Sequence, residues 1–183
     1  LKKFFIIFIT IWTSWFFHVD LTFTLILAGI AFALLPDIDF FVEFFKHGDV
    51  GGKVIREHRE LTHFPFLYIP VVVIVAVVWG IAWASFLGLA VFLHFLHDSI
   101  YLGWGIKWFW PFSKKAYKLF SEKDGRFSSR LIISWSPEEL TKVVADHGDP
   151  DWIRNIYLRF HPVAVIEFSF FVTSLIILYL YLQ

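Results

Sequence analysis

Four apolar runs, separated by more polar and charged segments, constrain this chain more than any other feature, although the first two runs are short for spanning helices. They cover residues 4–17, 21–35, 64–96 and 163–182. An α-helix needs about 20 apolar residues to cross a hydrocarbon core of ~30 Å. A straight helix over residues 64–96 would be ~50 Å long, so we expect a helical hairpin there with its turn near Gly80. The pattern predicts an all-α, multi-pass transmembrane bundle of about five helices with a mixed cytoplasmic segment.

The composition supports a membrane environment and excludes several classes of function. Hydrophobic residues make up 58% of the chain and charged residues 17%, outside the usual range of soluble domains. The formal net charge is zero, so no nucleic-acid partner is expected. Without cysteine, any metal must be held by histidine and carboxylate ligands. Lys2 and Lys3 precede the first apolar run and no small-residue cleavage pattern follows it, which indicates a retained first helix.

The distribution of basic residues predicts an orientation. If the helices alternate across the membrane, the N-terminus, residues 37–63 and residues 101–161 share one side, and all 16 Lys and Arg residues belong to it. The positive-inside rule places this side in the cytoplasm. We therefore expect one domain over residues 1–183 in the cytoplasmic (inner) membrane, with residues 101–161 as a cytoplasmic segment. Residues 37–63 are expected to form a metal-motif loop with an amphipathic interfacial helix, in which four aromatic residues recur at helical spacing: Phe40, Phe41, Phe44 and Phe45.

Acidic and histidine side chains gather at the ends of the predicted helices on that same side. Their types suit Zn²⁺ or Mn²⁺. His94 and Asp98 are four residues apart on one helix face, whereas His97 points elsewhere or toward a second ion. Two carboxylates after the second helix can converge only if the backbone beyond Pro36 is irregular. The candidate ligands are Asp37, Asp39, His58, His63, His94 and Asp98.

A structural role is the alternative for several of these residues. Paired carboxylates after a helix are often only a cap or a solvated boundary, and that interpretation stays open for Asp37 and Asp39. His18 and His161 are interpreted as structural interfacial residues. His94 and Asp98 indicate a site more strongly, because an ionisable group on an apolar spanning helix costs about 3 kcal/mol unless it is partnered.

Two N-cap signals predict where helices begin. Ser136 precedes Pro137 and two acidic residues, a pattern typical of a helix start. Thr62 is predicted to cap a helix with Pro65 in its first turn, which would place His63 at the mouth of that helix.

Three motifs together resemble a known family. They are Leu34-Leu35-Pro36-Asp37-Ile38-Asp39, then His58-Arg59-Glu60-Leu61-Thr62-His63, and then His94 to Asp98 continuing through Gly103 and Gly105 to Trp110-Pro111-Phe112-Ser113. This ordered set resembles the LexA-binding, inner-membrane-associated hydrolases, also described as membrane-bound metal-dependent hydrolases. The resemblance implies a helical membrane protein whose metal centre is built from Asp37, Asp39, His58, His63, His94 and Asp98.

A more distant similarity is to the zinc-dependent phospholipase C and P1 nuclease group, through the His94-x-x-x-Asp98 pair. That similarity implies hydrolysis of a phosphoester. The second His-x-x-x-acid pair of that group has no clear counterpart here. The number of divalent ions therefore stays open between one and three, with zinc preferred and manganese as the alternative.

The function that these observations favour is metal-dependent hydrolysis of a phosphoester, in a membrane lipid or a lipid-linked phosphate, by metal-activated water. Arg59 is the candidate phosphate clamp, because a guanidinium can bind two oxygens at once. Thr62 or Ser113 is expected to orient the phosphate. Asp39 is either a ligand or the general base, and the sequence does not decide between these roles.

The alternative is a non-catalytic membrane module with a structural metal site that recruits a cytoplasmic protein through residues 106–160. The basic and aromatic residues of 107–118 would suit such a partner or anionic headgroups. A closed metal site would favour this alternative, whereas a catalytic site keeps an accessible position. A transporter is a third class, but the chain has no pair of repeat-related broken helices.

Overall fold

The structure is a computed structural model of the 183-residue chain. It describes residues 2–39, 42, 45, 62–100, 103–124, 126–149, 151, 153–181 and 183. In chain order its elements are α1 (Lys2–Phe17), α2 (Phe23–Leu34), a 3₁₀ turn (Leu35–Asp37), α3 (Pro65–Trp79), α4 (Ile81–Ile100), β1 (Ala116–Ser121), β2 (Phe127–Trp135), α5 (Pro137–His147), a π-helical turn (Ile153–Tyr157) and α6 (Pro162–Tyr181).

The five predicted apolar helices are all helical in the structure, as α1, α2, α3, α4 and α6. Within the described part of the chain, α4 and α6 are long and apolar enough to cross a bilayer. The other three are shorter apolar helices. Of the predicted amphipathic helix, Phe40, Phe41 and Phe44 lie outside the described residues, whereas Val42 and Phe45 are helical and the Phe45 side chain is exposed.

The predicted helical hairpin near Gly80 is confirmed. Gly80 alone separates α3 from α4, with a φ of +89° that residues with a Cβ adopt only under strain. Gly88 of α4, eight residues after Gly80, faces the methyl groups of Val72 of α3, eight residues before it. The apolar run is therefore two helices that fold back on each other.

The chain forms two compact units, described separately, of which the first comprises Leu1–Leu35, Ile69–His94 and Trp152–Gln183. In this unit α1 packs against both α2 and α6. Its core is formed by buried apolar side chains of α1, α2 and α4: Ile6, Ile9, Leu25, Ala33, Phe86 and Ala90. Gly29 of α2 lies against Thr10 and Phe86, so the absence of a side chain at this position permits close packing.

We expect Gly29→Ala to destabilise the protein by ~1–3 kcal/mol. A Cβ at this position would collide with the Thr10 hydroxyl and lie 2.9 Å from Phe86 Cζ. Gly88→Ala is the matched control, because its Cβ would meet the Val72 methyl groups at an ordinary 3.7 Å and alanine is the better helix former. Thermal unfolding in detergent should show a lower midpoint for the first variant only, and equal midpoints would contradict this packing.

The second unit comprises Pro36–Tyr68 and Phe95–Asp151 and contains a β-hairpin. Strands β1 and β2 pair antiparallel from Ala116↔Trp135 to Leu119↔Ile132, with an irregularity near Phe120. The prediction of an all-α fold is therefore wrong for this segment. The missed signal is the Asp124-Gly125 pair between two runs rich in aromatic and branched residues, which is typical of a hairpin turn.

Helix α5 begins after Ser136 as predicted, and the structure adds a capping box there. The Ser136 hydroxyl accepts a hydrogen bond from the Glu139 N–H at 3.2 Å, and the Glu139 carboxylate accepts one from the Ser136 N–H at 2.9 Å. The hydrogen bond from the Ser136 N–H holds the pKa of Glu139 below its ordinary value, and the hydrogen bond from Lys123 is the second cause. The Ser136 N-cap prediction is confirmed.

Candidate metal centre

Three short segments present the acidic and histidine side chains. The last turns of α4 carry His94 and Asp98, which project from one face as predicted. The 3₁₀ turn Leu35–Asp37 carries Asp37, so the backbone at Pro36 departs from α-helical spacing, whereas Ile38 and Asp39 beyond it are again helical. His63 lies in the segment just before α3.

His63 is held in one orientation by Asp39. Its Nδ1 lies 3.1 Å from Asp39 Oδ2, and the Thr62 N–H donates to the same oxygen at 3.3 Å. His63 and Asp39 are both buried. Because an ionised carboxylate can only accept, the proton of a neutral imidazole must be on Nδ1. The lone pair on Nε2 then points away from Asp39.

Two further carboxylates face that other ring nitrogen. His63 Nε2 is 3.6 Å from Asp37 Oδ1 and 3.4 Å from Asp98 Oδ2. A lone pair and two carboxylate oxygens are three acceptors in a largely buried space, and they repel each other unless a positive charge lies among them. A proton on Nε2 or a divalent cation would supply such a charge. The convergence is the central feature of the site.

His94 joins the group one turn before Asp98 on the same helix. Its Nδ1 lies 2.7 Å from the Ala33 carbonyl oxygen, which can only accept, so Nε2 is the nitrogen that can bind a metal. The four ligand atoms offered by Asp37, His63, His94 and Asp98 all lie within 4.8 Å of one another. Two ligands of a tetrahedral ion at ~2.1 Å are ~3.4 Å apart, close to the separations around His63. The donor set fits a divalent cation.

The surroundings of the centre are apolar on one side and accessible on another. The ring of Phe95 contacts both His63 and Tyr68, with centroid distances of 6.2 Å and 5.5 Å. Side-chain exposure is 1% for His63 but 23% for Asp37. The low dielectric strengthens electrostatic interactions at the buried side. Asp37 marks the side from which solvent reaches the cluster.

His97 contacts Asp98 and is not one of the four candidate ligands. Its Nδ1 lies 3.3 Å from Asp98 Oδ1, while Asp98 Oδ2 faces His63. The two oxygens of this carboxylate therefore have different neighbours. The structure directs His97 at the carboxylate of Asp98, and this contact can orient it toward the cluster.

The structure places the remaining predicted site residues as follows. His58 and Arg59 lie outside the described residues. The Thr62 hydroxyl donates to the Pro36 carbonyl at 2.5 Å, and α3 begins only at Pro65, so the prediction that Thr62 caps this helix is wrong. Ser113 Oγ accepts from the Lys115 N–H at 3.3 Å within a local turn.

The Ala33 carbonyl was not anticipated as a partner of the site. It belongs to the last turn of α2, where carbonyl oxygens have no partner within the helix. The predicted end of that helix near Leu35 indicated that such a carbonyl oxygen would be available. Only the fold shows which side chain contacts it.

Comparison with known proteins identifies the family. No curated protein and no solved structure matches the chain. Residues 5–183 match the family described as YdjM inner membrane protein. The match spans nearly the whole chain and agrees with the inner-membrane location that the motifs indicated. The chain therefore belongs to the YdjM inner membrane protein family.

Proposed function

We propose that this protein is a membrane-bound, metal-dependent hydrolase of a phosphoester. The observation that carries the proposal is the convergence of Asp37 and Asp98 on His63 Nε2, with His94 close by. Zinc is the proposed ion and manganese the alternative. Structural zinc sites are mostly rich in cysteine, whereas sites built from nitrogen and oxygen ligands are typical of catalysis. The absence of cysteine from the chain thus favours an enzyme.

The bound ion would supply Lewis acidity, lowering the pKa of a water molecule and offsetting negative charge on phosphoryl oxygens. Hydrolysis adds that water across the P–O ester bond, so that a phosphate and an alcohol are released. Asp39 keeps His63 in the tautomer that presents Nε2 to the ion. The more exposed Asp37 faces the side from which substrate and water approach. Arg59 is proposed as the clamp on the phosphoryl oxygens, from its place beside His58 in the sequence.

The proposed substrate is a membrane lipid or a lipid-linked phosphate at the cytoplasmic face. Family membership supports the inner membrane, and the one-sided distribution of the 16 Lys and Arg residues supports the orientation. The candidate ligands lie at the ends of apolar helices, where a headgroup reaches them without leaving the bilayer. A multi-pass arrangement of α1, α2, α3, α4 and α6 belongs to the same proposal.

The proposal is tested by elemental analysis of the protein purified in detergent, followed by assays with phospholipids and a soluble phosphoester. We expect near-stoichiometric zinc or manganese, and turnover that a chelator abolishes and the same metal restores. Metal-free protein that is folded and inactive after metal addition would contradict a metal-dependent hydrolase. Stoichiometric metal without turnover of any phosphoester would favour the non-catalytic module that recruits a partner through residues 106–160.

A further inference from the structure

The segment 107–115, here called the aromatic-basic loop, divides its large side chains between the protein and its surface. Trp110 stacks on Phe64 at a centroid distance of 4.6 Å, and the indole N–H of Trp108 donates to the Ser99 hydroxyl at 2.8 Å. Phe109 and Phe112 instead remain 51% and 82% exposed. The loop is anchored by its tryptophans, so its two phenylalanine rings are presented outward on a fixed support.

The loop lies level with the beginning of an apolar helix. The Phe112 ring contacts that of Phe66 in the first turn of α3, at a centroid distance of 5.7 Å. Phe64, which stacks on Trp110, immediately precedes that helix. In an inner membrane protein, the start of an apolar helix lies near the boundary between hydrocarbon and headgroups. The exposed rings are therefore at the depth where aromatic side chains anchor membrane proteins.

The charges of this stretch of chain favour anionic lipid, and the carboxylates that lie near its exposed lysines are Glu138 and Glu139 at the start of α5. No carboxylate occurs between Ser99 and Ser121, whereas four lysines do. Two of these are directed at the protein: Lys107 lies over the Phe64 ring, and Lys118 donates to the Gly103 carbonyl. Lys114 and Lys115 are exposed and follow Phe112 after one intervening residue, Ser113. Rings followed by ammonium groups match a bilayer interface, with lysines reaching the phosphates.

We propose that the aromatic-basic loop docks on the bilayer, inserting Phe109 and Phe112 below the headgroups and binding anionic headgroups through Lys114 and Lys115. The only requirement is that the chain lies in a membrane, so the proposal stands apart from any hydrolase activity. The stack of Trp110 on Phe64, next to His63, couples the docked loop to the candidate metal centre. Docking thereby holds the centre at headgroup level.

The absence of cysteine from the 183-residue chain makes a direct test available. Single-cysteine variants Phe112→Cys, Phe109→Cys and Phe127→Cys are spin-labelled and reconstituted in phosphatidylcholine bilayers containing phosphatidylglycerol. Phe127 is the matched control, because it is 83% exposed but lies on β2. We expect the ratio of oxygen to nickel-chelate collisions to be several times higher at 112 and 109 than at 127. Collision ratios at 112 and 109 as low as at 127 would overturn the proposal.

The lysine component is tested in the labelled Phe112→Cys protein. Adding phosphatidylglycerol to phosphatidylcholine should deepen the label, and Lys114→Gln with Lys115→Gln should remove that increment. Lys142→Gln, an exposed lysine on α5, is the control and should retain it. A depth that is the same with and without the anionic lipid would overturn the headgroup assignment. Neither measurement depends on metal content or turnover, so its failure is distinct from failure of the proposed function.

Discussion

Replacing Asp98 with alanine is expected to abolish metal binding and turnover while the protein remains folded in detergent. Asp98 is the carboxylate with a candidate partner at each oxygen: His63 at 3.4 Å from Oδ2 and His97 at 3.3 Å from Oδ1. Mutation of residues that only support a ligand typically costs 10–100-fold in metal affinity. Loss of a direct ligand should therefore weaken binding by more than about 100-fold.

Elemental analysis and thermal unfolding with and without chelator provide the measurement. A ligand that binds only the folded state stabilises it by ~4 kcal/mol at a thousand times its dissociation constant. The unfolding temperature of the wild type should thus fall on chelation, and that of Asp98→Ala should not. Asp124→Ala is the control, since Asp124 pairs with Arg126 at the surface. Full metal content in Asp98→Ala would remove this residue from the centre.

Asp98→Asn separates charge from shape in the same experiment. Without metal, the wild type buries Asp98 Oδ2 beside the same His63 nitrogen that Asp37 faces. The amide keeps the shape of the side chain and removes one of the two negative charges. We expect the chelated asparagine variant to unfold at the same temperature as the chelated wild type or higher. With metal bound, the wild type should instead unfold at a higher temperature than the variant.

The parts of the fold that the sequence predicted depend on local patterns. The i, i+4 spacing of His94 and Asp98 needs only a helix to bring both onto one face, and α4 provides it. Gly80 interrupts an apolar run too long for one span, and the turn occurs there. Ser136 caps α5 because its partner Glu139 is only three residues away. Each of these inferences needs only a contiguous stretch of sequence and no contact between residues distant in the chain.

The parts that escaped prediction depend on residues distant in the chain. The Thr62 hydroxyl bonds to Pro36, 26 residues away, instead of capping the nearby helix. Lys118 looked like a surface residue for headgroups, yet it is buried and donates to the Gly103 carbonyl. In both cases a polar side chain donates to a backbone carbonyl that only the tertiary fold brings within reach. The sequence therefore gives no sign of the contact.

The sequence left two alternatives for the role of Asp39 at the metal centre, and the geometry favours a third. From the sequence, Asp39 is either a metal ligand or a general base. In the structure Asp39 Oδ2 receives both the His63 Nδ1 contact and the Thr62 N–H. Asp39 also falls outside the group of four convergent ligands. These contacts are those of a positioning residue, which fixes the tautomer and ring plane of a metal-binding histidine.

Asp39→Asn and Asp39→Ala distinguish these roles. The asparagine oxygen can still accept from His63 and Thr62, so metal affinity should fall only a few-fold, whereas alanine should lower it by ~10–100-fold. Competition with a chromophoric chelator measures the affinity, and kcat is measured at saturating metal, with Asp20→Asn as an exposed control. An amide cannot act as the general base in place of a carboxylate, because it is far too weakly basic to accept the proton. Loss of kcat in the asparagine variant as large as in the alanine variant, at full metal occupancy, would therefore assign Asp39 to proton transfer rather than to holding His63.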